Sequence, residues 1–131
     1  MPRICVVQIN VTDMDVAVDF YVRKLGFELR SRRSYPKVVE LGQEQFTLLL
    51  YLVERPARVD YPKEAQILIN IETANLEKDL ERLRKLNVEV LHSAPVRCPV
   101  GTYAAIRDPS GNVLELLEYS ADIPPSRPAP N

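Results

Sequence analysis

Glu115 is the residue best placed to do chemistry in this 131-residue chain. It interrupts the apolar run Val113-Leu114-Glu115-Leu116-Leu117. In an enzyme, Glu115 would act as general base on an acidic carbon if burial against Leu49 and Leu117 raised its pKa. Tyr103 or Arg107 is then the group to steady the developing negative charge. For Arg107 the plainer alternative is a surface residue paired with Asp108 or with solvent. Gln8, Asn10, Gln66 and Asn70 alternate with aliphatic residues and offer amides to a ligand. Thr47, Leu49, Tyr51, Tyr103, Leu117 and Tyr119 offer flat apolar and aromatic walls. That mixture suits a small, partly aromatic organic molecule, and with no Trp in the chain the stacking falls to Tyr. The plainer alternative is that these residues merely fill the centre of a core.

Other chemistries find less support. His92 is the only histidine, and a lone His near a strand end is more often a satisfied residue than a ligand. Glu40 reads as a solvated strand carboxylate. Cys5 sits in an apolar strand-like run and Cys98 in a proline-flanked loop; with no zinc-type spacing, both read as reduced thiols. Arg30, Arg32 and Arg33 could bind an anionic group, but no phosphate-cradling loop lies nearby and such a run is usually a solvated strand face. A net charge of −1 argues against nucleic acid. Absence of a signal-peptide pattern and of a long apolar run makes the cytoplasm the expected location, with no membrane partner.

The elements that must position these residues come in two similar sets. Ile4 to Val11 alternates, with Val7, Ile9 and Val11 on one face and Val6, Gln8 and Asn10 on the other. Thr12 and Asp15 give a capping-box-like start to a helix carrying Met14, Ala17, Val18, Tyr21 and Leu25. Gly26 ends it in the left-handed conformation. Strands are expected at Phe27 to Arg33, Lys37 to Leu41 and Gln45 to Leu52, with Gly42 and its polar neighbours turning the chain before the last. The segment 53–64 holds Pro56 and Pro62 and reads as a linker. The pattern then restarts. Ile67, Ile69 and Ile71 face one way from Gln66 to Glu72, with Gln66, Leu68 and Asn70 on the other face. Asn75 caps a helix with Leu76, Leu80, Leu83 and Leu86, and Asn87 ends it. Val88 to Leu91, Thr102 to Arg107 and Val113 to Tyr119 are strands, the last two joined by the turn Asp108-Pro109-Ser110-Gly111-Asn112. The exposed face of the second helix, Glu77 to Lys85, carries mixed charge.

These observations predict one α+β domain over 1–120. Module 1 covers 3–52 and module 2 covers 65–119, each a βαβββ unit, and a proline-rich disordered tail follows over 121–131. The helix covers one face of each curved sheet, and the residues opposite Ile9 and Ile69 are expected to line a binding cleft.

Val11-Thr12-Asp13-Met14, Phe20-Tyr21 and Leu25-Gly26-Phe27 resemble the opening of the vicinal oxygen chelate superfamily: the glyoxalase, bleomycin-resistance and extradiol-dioxygenase group. Arg107-Asp108-Pro109-Ser110-Gly111-Asn112-Val113-Leu114-Glu115-Leu116 resembles its closing signature. The resemblance runs from about Arg3 to Tyr119. It implies a divalent metal held at positions that fall here on Val6, Leu49, Gln66 and Glu115. Glu115 fits and Gln66 is a permitted ligand, but Val6 and Leu49 have no lone pair to donate. No metal or other cofactor is therefore expected. The expectation is a metal-free small-molecule-binding member, taking a partly aromatic metabolite or antibiotic at Gln8, Asn10, Leu49, Tyr51, Gln66, Asn70, Tyr103, Glu115 and Leu117. The resemblance also implies a homodimer. The alternative is a lyase, isomerase or dioxygenase-type enzyme using Glu115 with a non-standard or absent metal site.

Overall fold

The computed structural model describes residues 1–65 and 67–122. Gln66 and nearly all of the expected tail therefore lie outside the described residues.

The chain forms two compact units. The first takes Met1–Glu64 together with Asp108–Asn112, and the second takes Ala65–Arg107 and the chain from Val113 onward. The element order is the expected one. The first unit runs β1 (Val7–Val11), α1 (Met14–Val18), β2 (Glu28–Ser31), β3 (Val38–Gln43) and β4 (Phe46–Leu52). Its sheet order is β1-β4-β3-β2, with β1 parallel to β4 and the other pairs antiparallel. Alternation decides the faces: Ile9 and Val11 are buried while Gln8 and Asn10 are exposed. Val39, Leu41, Leu48 and Leu50 join that core, and Met14, Ala17, Phe20 and Tyr21 close it.

The start of the first helix differs from expectation. Asp13, not Thr12, is its cap, accepting from the Val16 N–H at 3.1 Å. The Thr12 N–H instead donates to Ser110 Oγ, 98 residues away. After Val18 the helix widens into a π-helical segment, Asp19–Lys24, where the Leu25 N–H reaches the Phe20 carbonyl five residues back. Gly26 then takes φ +86, as its position predicted.

The turn between the last two strands belongs to the first unit. Asp108 is buried, and its carboxylate accepts from Tyr21 Oη at 2.6 Å, from the Ser110 and Asn112 N–H groups and from Asn112 Nδ2. Asn112 Nδ2 also donates to the Asn10 carbonyl, and the Ser110 carbonyl accepts from the Ala57 N–H in the segment read as a linker. Burial first, and the Asp108 charge second, push the Tyr21 hydroxyl far above the ordinary phenol range.

The second unit runs β5 (Ile69–Glu72), α2 (Leu76–Lys85), β6 (Glu89–Val90), β7 (Val96–Cys98), β8 (Gly101–Arg107) and β9 (Val113–Tyr119). Its sheet order is β5-β9-β8-β6, with β7 also paired to β8. Asn75 caps α2 by accepting from the Lys78 N–H, Glu118 accepts from the Leu76 N–H, and Asn87 ends it at φ 62. Leu76, Leu80 and Leu83 are each 1% exposed, contributing about 1.5–3 kcal/mol apiece by leaving water.

Three expectations are corrected here. Cys98 ends strand β7 rather than lying in a loop, because Val96–Cys98 pairs with Gly101–Tyr103. Both first strands start three residues late, so Ile67 is 85% exposed instead of facing inward, and Cys5 is exposed. Strand β3 runs on through Gly42 to Gln43, so the turn falls on the polar neighbours of Gly42, where Glu44 takes φ 53.

Candidate functional site

Strand register decides which side chains share a face of each sheet. In the first sheet, Gln8 is level with Leu49, Leu49 with Glu40, and Glu40 with Ser31. The next row is Asn10, Tyr51 and Val38. Gln8, Asn10, Leu49 and Tyr51, all expected site residues, thus share the face away from the helix. Gln8 Nε2 donates to Asn10 Oδ1 at 2.9 Å. Tyr51 is a compromised aromatic wall, since Lys37 Nζ sits 4.6 Å from its ring centroid while donating to the Leu52 carbonyl. Val6 lies just ahead of β1 and is 42% exposed.

A β-bulge shapes the far side of this face. Leu29 pairs with Leu41, but the next partner of Glu40 is Ser31, so Arg30 is an extra residue. Strict alternation would send Ser31 to the helix side with Leu29; the bulge restores it to the side of Glu40 and Leu49. Arg30 folds over Gly42, where an added Cβ would fall 1.9 Å from the guanidinium carbon. Its nitrogens donate to the Glu44 and Phe46 carbonyls. Arg32 stacks on the Tyr35 ring at 4.3 Å. The basic run is thus mostly committed to structure. Arg33 is the exception. It lines a hollow of about 320 Å3 with Ser31, Ser34, Val38, Glu40 and Leu49. Glu40 is half-buried there. Ser31 and Ser34 were not foreseen, because the parity shift that brings Ser31 to this face leaves no mark in a hydrophobic pattern.

In the second sheet, Asn70 is level with Glu115 and Glu115 with Ala105; Leu117 is level with Tyr103, and Tyr103 with Val96. Asn70, Tyr103, Glu115 and Leu117 therefore share that sheet's face away from α2, as their parity predicted. Glu115 is half-buried. Arg107 pairs with Glu89 on β6 at 2.7 Å rather than with Asp108, whose oxygens are taken by the turn and Tyr21. His92 serves the fold itself. Its Nδ1 accepts from the Ala105 N–H at 3.0 Å, replacing a backbone carbonyl where β6 has left the ladder. That bond requires Nδ1 to be unprotonated. Its ring stands edge-on to Tyr103, with centroids 5.6 Å apart.

The metal question turns on donor chemistry. Val6 and Leu49 carry only carbon, Gln66 lies outside the described residues, and no three His, Cys, Asp or Glu side chains gather among the described residues. The four-ligand set implied by the resemblance does not fit this chain.

Two βαβββ units, each with a helix on one sheet face and mixed polar and apolar side chains on the other, define a class of protein by architecture. The chain belongs to the Glyoxalase/Bleomycin resistance protein/Dioxygenase superfamily, whose family model matches residues 3–116. It is 29% identical to the protein YurT of Bacillus subtilis (strain 168), over 88% of this chain and 98% of that one. Among solved structures it resembles TnmS3, an antibiotic binding protein from Streptomyces sp. CB03234, with a TM-score of 0.70 at 24% identity over 92% and 98% of the two chains. It also resembles lactoylglutathione lyase from Agrobacterium tumefaciens, with a TM-score of 0.66 at 24% identity over 88% and 92%. Those two likenesses are of fold, and the same fold hosts both binding and catalysis. Among the described residues no helix is long and apolar enough to cross a membrane.

Proposed function

We propose that this chain is a metal-independent small-molecule-binding protein of its superfamily, one that holds its ligand without turning it over. The observation that carries the reading is the hollow on the first sheet, with Leu49 in its floor where the resemblance implies a metal ligand. Leu49 itself has no lone pair to give an ion, and aliphatic side chains beside hydroxyls and charges suit an organic guest. The antibiotic-binding role of TnmS3, a relative in fold, supports the same reading. Gln8, Asn10, Leu49 and Tyr51 are the proposed contacts on the first sheet, and Asn70, Tyr103, Glu115 and Leu117 on the second. Gln66 completes the set by sequence alone. A cytoplasmic homodimer is part of the proposal.

A second reading keeps Glu115 as a catalytic base, because it occupies the family's glutamate position on the face away from α2. One experiment separates the two. A thermal-shift screen of partly aromatic acids, amines and antibiotics is run on full-length protein before and after chelation, with metal content measured. A ligand at a hundred times its Kd stabilises by about 2.7 kcal/mol. The binding reading expects that shift to survive chelation and to survive Glu115→Gln, with the ligand recovered unchanged. A stoichiometric metal required for the shift, or ligand conversion lost in Glu115→Gln, overturns it.

A further inference from the structure

We propose that the hollow on the first sheet selects an amino-acid-like ligand, one that carries a carboxylate and an ammonium group on a small apolar body. This rests on the small-molecule-binding reading above and names the class of guest. Arg33 and Glu40 line the same hollow, yet no ion pair joins them, and among the described residues neither side chain has another charged or hydrogen-bonding partner. Every neighbouring arginine is used: Arg30 on two carbonyls and Arg32 on the Tyr35 ring. A guanidinium left open beside hydroxyls is a fork for a carboxylate, which it grips with two parallel hydrogen bonds. Ser34 and Ser31 stand beside it; the Ser31 Oγ accepts from the Arg33 N–H at 3.3 Å and keeps its own proton to donate. Glu40 supplies the opposite charge and takes only donors, which an ammonium group provides. Val38 and Leu49 form the apolar part between these two ends.

The register explains why Glu40 and Ser31 reach this face. Glu40 lies level with Leu49, and the bulge at Arg30 returns Ser31 to the same side; Arg33 follows two residues later and lines the same hollow. A zwitterion satisfies both uncommitted charges without adding net charge to the hollow. A phosphate is disfavoured, because Glu40 would repel it. The volume of about 320 Å3 is near the lower end of ligand sites and fits a single amino-acid-sized molecule.

The test is an NMR titration of methyl-labelled full-length protein, read at the Leu49 and Val38 methyls, with three probes of one shape. L-phenylalanine carries both charges, hydrocinnamate only the carboxylate, and phenethylamine only the ammonium. Phenylalanine is expected to bind at least tenfold tighter than either, as loss of a charged hydrogen bond predicts. Arg33→Gln is expected to weaken phenylalanine and hydrocinnamate about tenfold and to leave phenethylamine unchanged. Glu40→Gln is expected to weaken phenylalanine and phenethylamine and to leave hydrocinnamate unchanged. Equal binding of all three probes, indifferent to both variants, overturns the amino-acid class while leaving small-molecule binding intact. No methyl shift with any probe at about 10 mM overturns both.

Discussion

The two sheets repeat one order of elements, except that the second adds β7, and they use their open faces differently. On the first, Arg33 and Glu40 line a hollow and are not joined to each other. On the second, the polar groups are spoken for: Arg107 holds Glu89, and neutral His92 accepts the Ala105 N–H. The helices differ as well. The second is a regular ten-residue helix whose Asn75 cap, Asn87 stop and leucine stripe are local in sequence, with Glu118 adding one distant acceptor at its start. The first widens into a π-helical segment, which carries Tyr21 to the buried Asp108. Repeating a βαβββ unit therefore repeats positions, while the chemistry at each position is decided by later local changes such as a bulge. The first unit is also the one held by distant residues, because the Asp108–Asn112 turn belongs to it.

The largest expected effect comes from removing that anchor. Asp108→Ala leaves the Tyr21 hydroxyl and the turn N–H groups without their acceptor in a buried place. It should cost about 3–4 kcal/mol, read as a lowered urea midpoint. Asp108→Asn keeps one acceptor oxygen and should cost distinctly less. Native-state hydrogen exchange should show the loss of protection in β1 and the first helix, with α2 affected least. A cost below about 1 kcal/mol for Asp108→Ala would break the contrast between a first unit pinned by distant residues and a second built from local signals.

The Tyr21 hydroxyl sharpens the same contrast through pH. Its folded pKa is raised well above the ordinary value of 10.0, by burial first and by Asp108 second. Below pH 10 both folded and unfolded chains keep the proton, so the contribution to stability is complete. Above it the unfolded chain releases the proton while the folded one retains it, and stability falls by about 1.4 kcal/mol per pH unit from this group. Tyr21→Phe should cost about 1–2 kcal/mol at pH 8 and progressively less as pH climbs to about 11, where the variant lacks this loss. Urea midpoints at the two pH values check it. A difference between the two proteins that does not change with pH would remove Tyr21 from the account.

Where physics is local, the sequence was legible. Alternation at Ile9 and Val11 and helical spacing at Leu76, Leu80 and Leu83 carried through to burial, and Gly26 and Asn87 took the left-handed conformations that end the helices. Partner choice was not legible. Thr12 looks like a cap until Ser110 takes its N–H, leaving Asp13 to cap the helix. Pro95 and Pro99 make Val96–Cys98 read as a loop, although that segment pairs with the next strand. The site residues divide in the same way. Gln8, Leu49, Asn70 and Glu115 follow from parity within regular strands. Ser31 and Arg33 depend on a bulge, which shifts parity by one residue and is held by Arg30 reaching carbonyls 14 and 16 residues ahead.

The smallest expected effect compares two arginines, one from each face. Arg107 is 28% exposed in its side chain and bonds Glu89, which is 60% exposed. Solvent screens such a pair, so Arg107→Gln should cost only about 0.5–1 kcal/mol. Arg33 has no folded-state partner among the described residues, so Arg33→Gln should leave the urea midpoint where it is. The same variant should nonetheless change the response to a carboxylate probe, which Arg107→Gln should not. Equal stability losses in the two variants would mean that Arg33 is already used within the fold. In that case the two faces would differ in shape alone, and the charge in the first hollow would not be available to a guest.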